Sequence, residues 1–225
     1  MIHPVFQPAA AGLVALAVSA AGFAQDAAMP PMDPPPAGEY RLDPAHASIV
    51  FRVDHIGFSN YTMRFTRFDV DLDFDPAAPE SMTVSAQIDP ASLETDYPGE
   101  DVDFDAELTG PDWLNTAEYP AIRFVSTGVE PTGEDTAIVT GTLSLMGVER
   151  PVELDVRYNG GYAGMPELDP QGRIGFSATA RFDRSDFGFV QGLPPEGTNF
   201  GVGDTVSVQI EAELLGPPLA GAAEN

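Results

Sequence analysis

The 225-residue chain carries 35 acidic against 10 basic residues, a formal net charge of −25, which repels a phosphate backbone, excludes nucleic acid as a partner and disfavours an anionic membrane surface. It has no cysteine, which removes disulfides, thiolate nucleophiles, Cys-ligated zinc and iron–sulfur clusters. Glycine and proline, 22 of each, are too many breakers for a mainly helical protein, while 43% hydrophobic residues suffice for a carbon-built core.

At the N-terminus, Ala9 to Ala21 form an uncharged apolar run followed by Gly22-Phe23-Ala24. The run is shorter than the ~20 residues that span a bilayer and ends in small residues, so residues 1–24 read as a secretory signal peptide. The expected location is periplasmic, with no stable membrane insertion after cleavage. One feature is atypical: only His3 stands where a positive charge is usual. Residues 25–39 contain Met29-Pro30-Pro31-Met32-Asp33-Pro34-Pro35-Pro36 and are expected to form an extended linker. A folded domain is expected over 40–215, and 216–225 as a frayed tail.

Within the domain the dominant signal is period two. Phe68, Val70, Leu72 and Phe74 interleave with Asp69, Asp71, Asp73 and Asp75, giving one apolar and one acidic face. The same alternation places strands at Ile49/Phe51/Val53, Met82/Val84/Ala86/Ile88, Val152/Leu154/Val156/Tyr158, Ile174/Phe176/Ala178/Ala180/Phe182 and Val206/Val208/Ile210/Ala212/Leu214. With residues 121–127 and 137–146 the total is about eight. Turn residues separate most of them, among them Pro131-Thr132-Gly133, Met146-Gly147-Val148 and Asn159-Gly160-Gly161. Residues 89–119 lack the alternation, and the spacing of Phe104, Leu108 and Trp113 predicts a short helix near 101–109. Clean two-faced strands imply an all-β, antiparallel fold, and eight of them suit either a closed barrel or a two-sheet sandwich.

The motifs add an order of their own. Tyr40-Arg41-Leu42-Asp43 with His46 precedes Phe51-Arg52-Val53-Asp54-His55-Ile56-Gly57. Ile88-Asp89, Ser92 and Thr95 follow, then Asp112-Trp113-Leu114-Asn115, Tyr119-Pro120 and Phe124-Val125-Ser126-Thr127. Later come Gly141-Thr142-Leu143-Ser144-Leu145-Met146-Gly147-Val148, Pro151-Val152, Arg184-Ser185-Asp186-Phe187-Gly188 and Val202-Gly203-Asp204. In this order the chain resembles the YceI-like family of polyisoprenoid-binding, lipocalin-like proteins from about Tyr40 to Leu214. The resemblance implies an eight-stranded antiparallel barrel with a helical lid segment and an apolar tunnel holding an isoprenoid lipid. The expected ligand-binding residues are Phe51, Val53, His55, Phe68, Val70, Leu72, Trp113, Phe124, Leu154, Val156, Phe176 and Phe187. Where the family usually has an Arg-Asp pair followed by His-Leu, this chain reads Phe104-Asp105-Ala106-Glu107-Leu108, so a cation and an imidazole are replaced.

The expected role is carriage or storage of a quinone-like or polyprenyl lipid without chemistry, with no cofactor. A homodimer is left open. Two other classes stay in view. An enzyme acting on such a lipid would need a nucleophile–base pair, yet Gly-x-Ser-x-Gly, His-Glu-x-x-His and a phosphate-cradling glycine loop are missing, and His46 and His55 are the only histidines of the mature chain. A calcium- or partner-binding module would use the face of Asp69, Asp71, Asp73 and Asp75. Arg184, between Asp183 and Asp186, is expected to form a strand-end ion pair or turn.

Overall fold

The computed structural model describes residues 32–166 and 168–219; the signal-peptide segment lies outside them. Ten strands follow the chain: β1 (Gly38–His55), β2 (Ser59–Phe65), β3 (Phe68–Phe74), β4 (Thr83–Ile88), β5 (Leu93–Glu94), β6 (Ile122–Pro131), β7 (Thr136–Leu145), β8 (Val148–Tyr162), β9 (Gln171–Asp183) and β10 (Val202–Pro218). One helix, α1 (Phe104–Thr109), lies between β5 and β6.

These ten segments make eight staves. The first half of β1 pairs with β3 and its second half with β2, so β2 and β3 are one broken stave along the same edge. β4 pairs with β3 and β5 with β2, which makes β4 and β5 a second broken stave. Antiparallel pairing then runs through β6, β7, β8, β9 and β10, and β10 returns to β1 along Arg41–His55. That last pairing closes a barrel and excludes the sandwich, since a closed ring leaves no sheet edge in its main body.

Turn chemistry matches the registers. Leu145 faces Val148 across a two-residue turn in which Met146 and Gly147 have φ of 50° and 77°, the doubly left-handed geometry that fits the twist of a hairpin. In β1, the register with β10 slips between Leu42 and Ala47. The Asp43 carboxylate fills that bulge, accepting from the Ala45 amide at 3.0 Å and lying 2.8 Å from His46 Nδ1.

Three boundaries differ from the sequence reading. The folded domain, expected from residue 40, begins with β1 at Gly38, and the described part of the proline-rich linker is docked: the Tyr40 hydroxyl donates to the Pro36 carbonyl at 2.8 Å, and the Ala163 amide to that of Asp33 at 2.9 Å. The expected frayed tail is partly strand, because β10 continues to Pro218 opposite Gln171. Ser59–Phe65, not singled out by alternation, is a strand, its apolar positions being only Tyr61, Met63 and Phe65 between polar neighbours.

Two apolar clusters line the barrel interior. The larger gathers Ile49, Val53, Met63, Phe124, Leu143 and Val206 with the lid residues Leu108 and Leu114. The smaller, at the opposite end, is built on Tyr40, Phe74, Ile174 and Leu214. Tyr40 is wholly buried, which pushes its phenol up to about 12.

Outside the barrel wall a half-buried ionic knot ties three strands. Arg173 on β9 donates to Asp43 on β1 (2.8 Å), Glu213 on β10 (2.6 Å) and Asp169 (3.0 Å), while the Tyr162 hydroxyl also donates to Asp169 (2.7 Å). The bond from Arg173, then that from His46, holds the Asp43 carboxyl down at about 2, although burial opposes this. Its folded pKa thus lies below the unfolded value near 3.9, so its stabilisation is complete above about pH 5 and is lost as pH falls toward 2. Acid titration of stability is expected to lose about 2 kcal/mol through this group. An Asp43→Asn variant should be less stable at pH 7 and show a shallower acid limb; an unchanged limb in that variant would remove Asp43 from the account.

Candidate functional site

The inward-facing side chains meet across one end of the barrel, where Phe74 of β3 lies 6.0 Å from Tyr158 of the opposite β8, and elsewhere stand apart. They enclose an elongated cavity of about 560 Å³ that runs from the lid segment to the far-end turns. The volume falls in the range of small-molecule sites. Every stave contributes alternate residues, for example Phe51 and Val53 of β1, Val70 and Leu72 of β3, Leu154 and Val156 of β8, and Val208 and Ile210 of β10. The period-two pattern produces this wall directly, because each second Cβ of a strand points to the same face.

At one end the cavity is closed by the 95–121 segment. Helix α1 is started by the Asp103 carboxylate, which accepts from the Ala106 amide at 3.0 Å. It is tied to the wall by Asp105, which accepts from the Thr95 amide at 2.9 Å and from the Thr95 hydroxyl at 2.5 Å. Leu108, Trp113 and Leu114 reach into the cavity end from this segment. The Trp113 ring meets Phe189 edge-on, centroids 6.0 Å apart. At the far end the lining is mixed: Glu134, Asp135 and Thr136 join Pro79, Met82, Pro131 and Tyr158. Burial raises the Tyr158 phenol, and the Asp135 charge adds to that.

Of the twelve residues expected to touch ligand, nine line this cavity: Phe51, Val53, Val70, Leu72, Trp113, Phe124, Leu154, Val156 and Phe176. Three do not. His55 is exposed at the last residue of β1, at the rim of the ring between Ser59 and Val202, and does not border the cavity. Phe68 is an inner-cluster residue at the break between β2 and β3, packed into the core rather than bordering the void. Phe187, 2% exposed, is occupied by the edge of Phe182 at 5.4 Å beneath the β9–β10 connection.

Arg184 meets half of its expectation, since it opens a 3-10 turn, Arg184–Phe187, at the end of β9. It forms no ion pair with Asp183 or Asp186 but is 2% exposed and borders the cavity at the lid end. Its guanidinium donates to the carbonyls of Gly203 (2.9 Å), Phe189 (3.0 Å), Gln191 (2.7 Å) and Val202 (2.9 Å), and stacks 5.0 Å from the centroid of the Phe189 ring. Burial lowers its pKa, opposed by Asp204. The neighbouring aspartates gave the wrong signal. The informative one was the apolar run Phe187-Gly188-Phe189-Val190 beside a single arginine.

Among the described residues one group could gather a metal, Asp43, His46 and Glu213, whose ligand atoms lie within 4.8 Å of one another. Arg173 already bridges Asp43 and Glu213, so a cation occupies the point between them. The aspartate row of β3 faces outward, with Asp71 3.6 Å from Arg41 and Asp75 accepting from the Ala77 amide.

Comparison with known proteins places this architecture. The YceI-like domain matches residues 40–214. A UPF0312 protein of Pseudomonas syringae pv. tomato is 36% identical over 156 residues, 68% of this chain and 77% of that one. A UPF0312 protein of a Shewanella species is 34% identical over 163 residues, 71% and 81%. Among solved structures, Campylobacter jejuni YceI protein superposes with a TM-score of 0.60 at 27% identity, covering 72% of this chain and 88% of that one. Burkholderia cenocepacia BcnA gives 0.64 at 22% identity, 76% and 98%. A polyisoprenoid binding domain from Saccharophagus degradans, implicated in plant cell wall breakdown, gives 0.54 at 18%, 81% and 100%.

Proposed function

Because the chain belongs to the YceI-like family, we propose that it is an isoprenoid-lipid binding protein that carries or stores one chain in its barrel, without chemistry on it. The observation that carries this reading is the elongated apolar cavity itself, walled by alternate residues of all eight staves. The polyisoprenoid-binding domain with the same fold supports the choice of lipid. Each buried CH₂ contributes about 0.8 kcal/mol relative to water, but a bilayer offers nearly the same, so the balance between the two sites is small and suits exchange rather than a sink. Organic extraction of the purified protein followed by mass spectrometry tests the proposal. Co-extracted isoprenoid supports it; an empty extract together with failure to take up an added polyprenyl quinone overturns it.

The geometry favours a neutral head group. Arg184 is the one cation lining the cavity among the described residues, and four of its N–H groups are committed to carbonyls. Glu134 and Asp135 line the other end, where a pyrophosphate would be repelled. In competition at equal chain length, an isoprenoid quinone is expected to displace a polyprenyl pyrophosphate, more strongly at low salt. Preference for the pyrophosphate at low salt would reverse the assignment.

Export to the periplasm completes the proposal, motivated by the apolar run over residues 9–21 and the small residues after it. Edman sequencing of protein from the periplasmic fraction is expected to start near Gln25, whereas an intact Met1 in the membrane fraction would contradict it. Among the described residues no helix is long and apolar enough to cross a membrane.

A further inference from the structure

The lid end of the barrel carries two loops with strongly exposed apolar side chains. One is the β1–β2 hairpin turn with Phe58 at its tip, 87% exposed. The other is the β9–β10 connection, with Phe200 77% and Val190 59% exposed. The loops are fastened to each other. The Ile56 amide donates to the Gly201 carbonyl at 3.0 Å, and a Cβ on Gly57 would lie 3.1 Å from the Asn199 side chain. Phe58 and Phe200 thus belong to one surface rather than to two independent tips.

The hairpin turn is also strained. Ile56 has φ of 59°, a left-handed conformation that a β-branched residue rarely adopts. With Gly57 at φ 71° it forms the same doubly left-handed two-residue turn as Met146-Gly147, here closing the β1–β2 hairpin, and Phe58 follows as the next residue, its amide donating to the His55 carbonyl at 3.0 Å.

The surface borders the tunnel. Val202 and Phe189 line the cavity, and Phe200 and Val190 are their near neighbours along the same connection. The Trp113 ring lies against Gly192 of that connection.

Charge divides this end in two. The lid segment 95–118 holds eight acidic residues and no arginine, whereas residues 55–60 and 187–203 together hold His55 and Glu196 as their only titratable side chains. In a chain of net charge −25 the acidic half would be repelled by a phosphate-bearing surface, and the half with Phe58 and Phe200 is the one able to approach it.

We propose that Phe58 and Phe200, with Val190, form a docking tip that inserts into the interfacial region of a lipid bilayer, setting the lid end of the cavity against the membrane from which its lipid is drawn. This rests on the isoprenoid-binding reading above. The attraction is apolar insertion, so an anionic bilayer binds less well than a neutral one and added salt narrows the difference, opposite to proteins held by basic patches.

Flotation of the purified protein with phosphatidylcholine vesicles, with and without phosphatidylglycerol, tests it against Phe58→Ser and Phe200→Ser. Both side chains are exposed, so each variant is expected to melt as the wild type does. Each substitution is expected to weaken vesicle binding about tenfold, while isoprenoid quinone uptake from detergent is unchanged. Equal flotation of the double variant and wild type, or no flotation of wild type, would overturn the docking tip. A dimer in solution that both variants dissolve would overturn it in favour of self-association. Absence of quinone uptake with Phe-dependent flotation intact would instead strike the isoprenoid reading and leave the tip standing.

Discussion

Replacing Arg184 with methionine is expected to cost about 3 to 5 kcal/mol and to lower Tm by roughly 10 °C. The methionine stem replaces much of the apolar part of the side chain, but the carbonyls of Phe189, Gln191, Val202 and Gly203 lose their shared donor in a buried site. A hydrogen bond to a charged group is worth about 1.5 to 3 kcal/mol net, so four of them would exceed the expected loss. Relief from burying a guanidinium without a carboxylate partner offsets part of it. Arg184→Lys is expected to fall between: an ammonium has three donors and no planar fork, and cannot serve four carbonyls. Because all four acceptors lie between residues 189 and 203, amide exchange should quicken first in the β9–β10 connection. Denaturant midpoints and peptide-level exchange provide the check. A loss below about 1 kcal/mol would mean that water satisfies those carbonyls and that the arginine is not the clamp of this connection.

Val70→Trp and Phe51→Trp are expected to abolish most lipid occupancy while changing Tm by only a few degrees. Val70 lies opposite Ala86, a small residue on the same inner face, and both border the cavity. Phe51 also lines it, its ring stacked on Phe65 at 5.0 Å. Overpacking a filled core costs about 1 to 3 kcal/mol. A void accepts the added volume at lower cost, at the expense of its occupant. The same preparations, melted and extracted, give both readouts. Strong destabilisation by Val70→Trp with occupancy retained would place the ligand elsewhere than beside β3.

Gly141 shows how closely the wall is fitted even around a void. A Cβ there would overlap the Phe124 ring, which lies across that position on the inner face. Glycine in the middle of β7 is thus the space in which a cavity-lining aromatic of β6 rests, and alternation by itself reads the site only as a gap in an apolar row.

Periodicity had the barrel wall within reach. Phe68 to Phe74 and Val206 to Leu214 alternate so regularly that their buried faces follow from the two-residue repeat of a strand, and nine residues named from that repeat and from the motif order border the cavity. Met146-Gly147 reads as a hairpin turn and proves to be one. These are local properties, governed by a few consecutive residues.

Three things depended on distant residues. Closure of the ring needs β1 against β10, about 150 to 170 positions apart, and the same strands could equally have stacked as two sheets. Hollowness is a matter of how far opposite walls stand from each other, and the same Val, Phe and Leu line a filled barrel or an open one. The fate of individual polar and boundary residues turned on partners far away in sequence. Asp43 is joined through Arg173 to Glu213 across three strands, and His55 stands exposed at the rim because its strand ends there. Arg184, flanked by aspartates at 183 and 186, turns instead to backbone carbonyls that only the folded connection brings around it. Sequence alone determined the faces of the strands, because side-chain direction is set by the backbone repeat. Tertiary structure alone decided the void and its single buried cation, because both depend on which surfaces the closed ring holds apart and which groups it excludes from water.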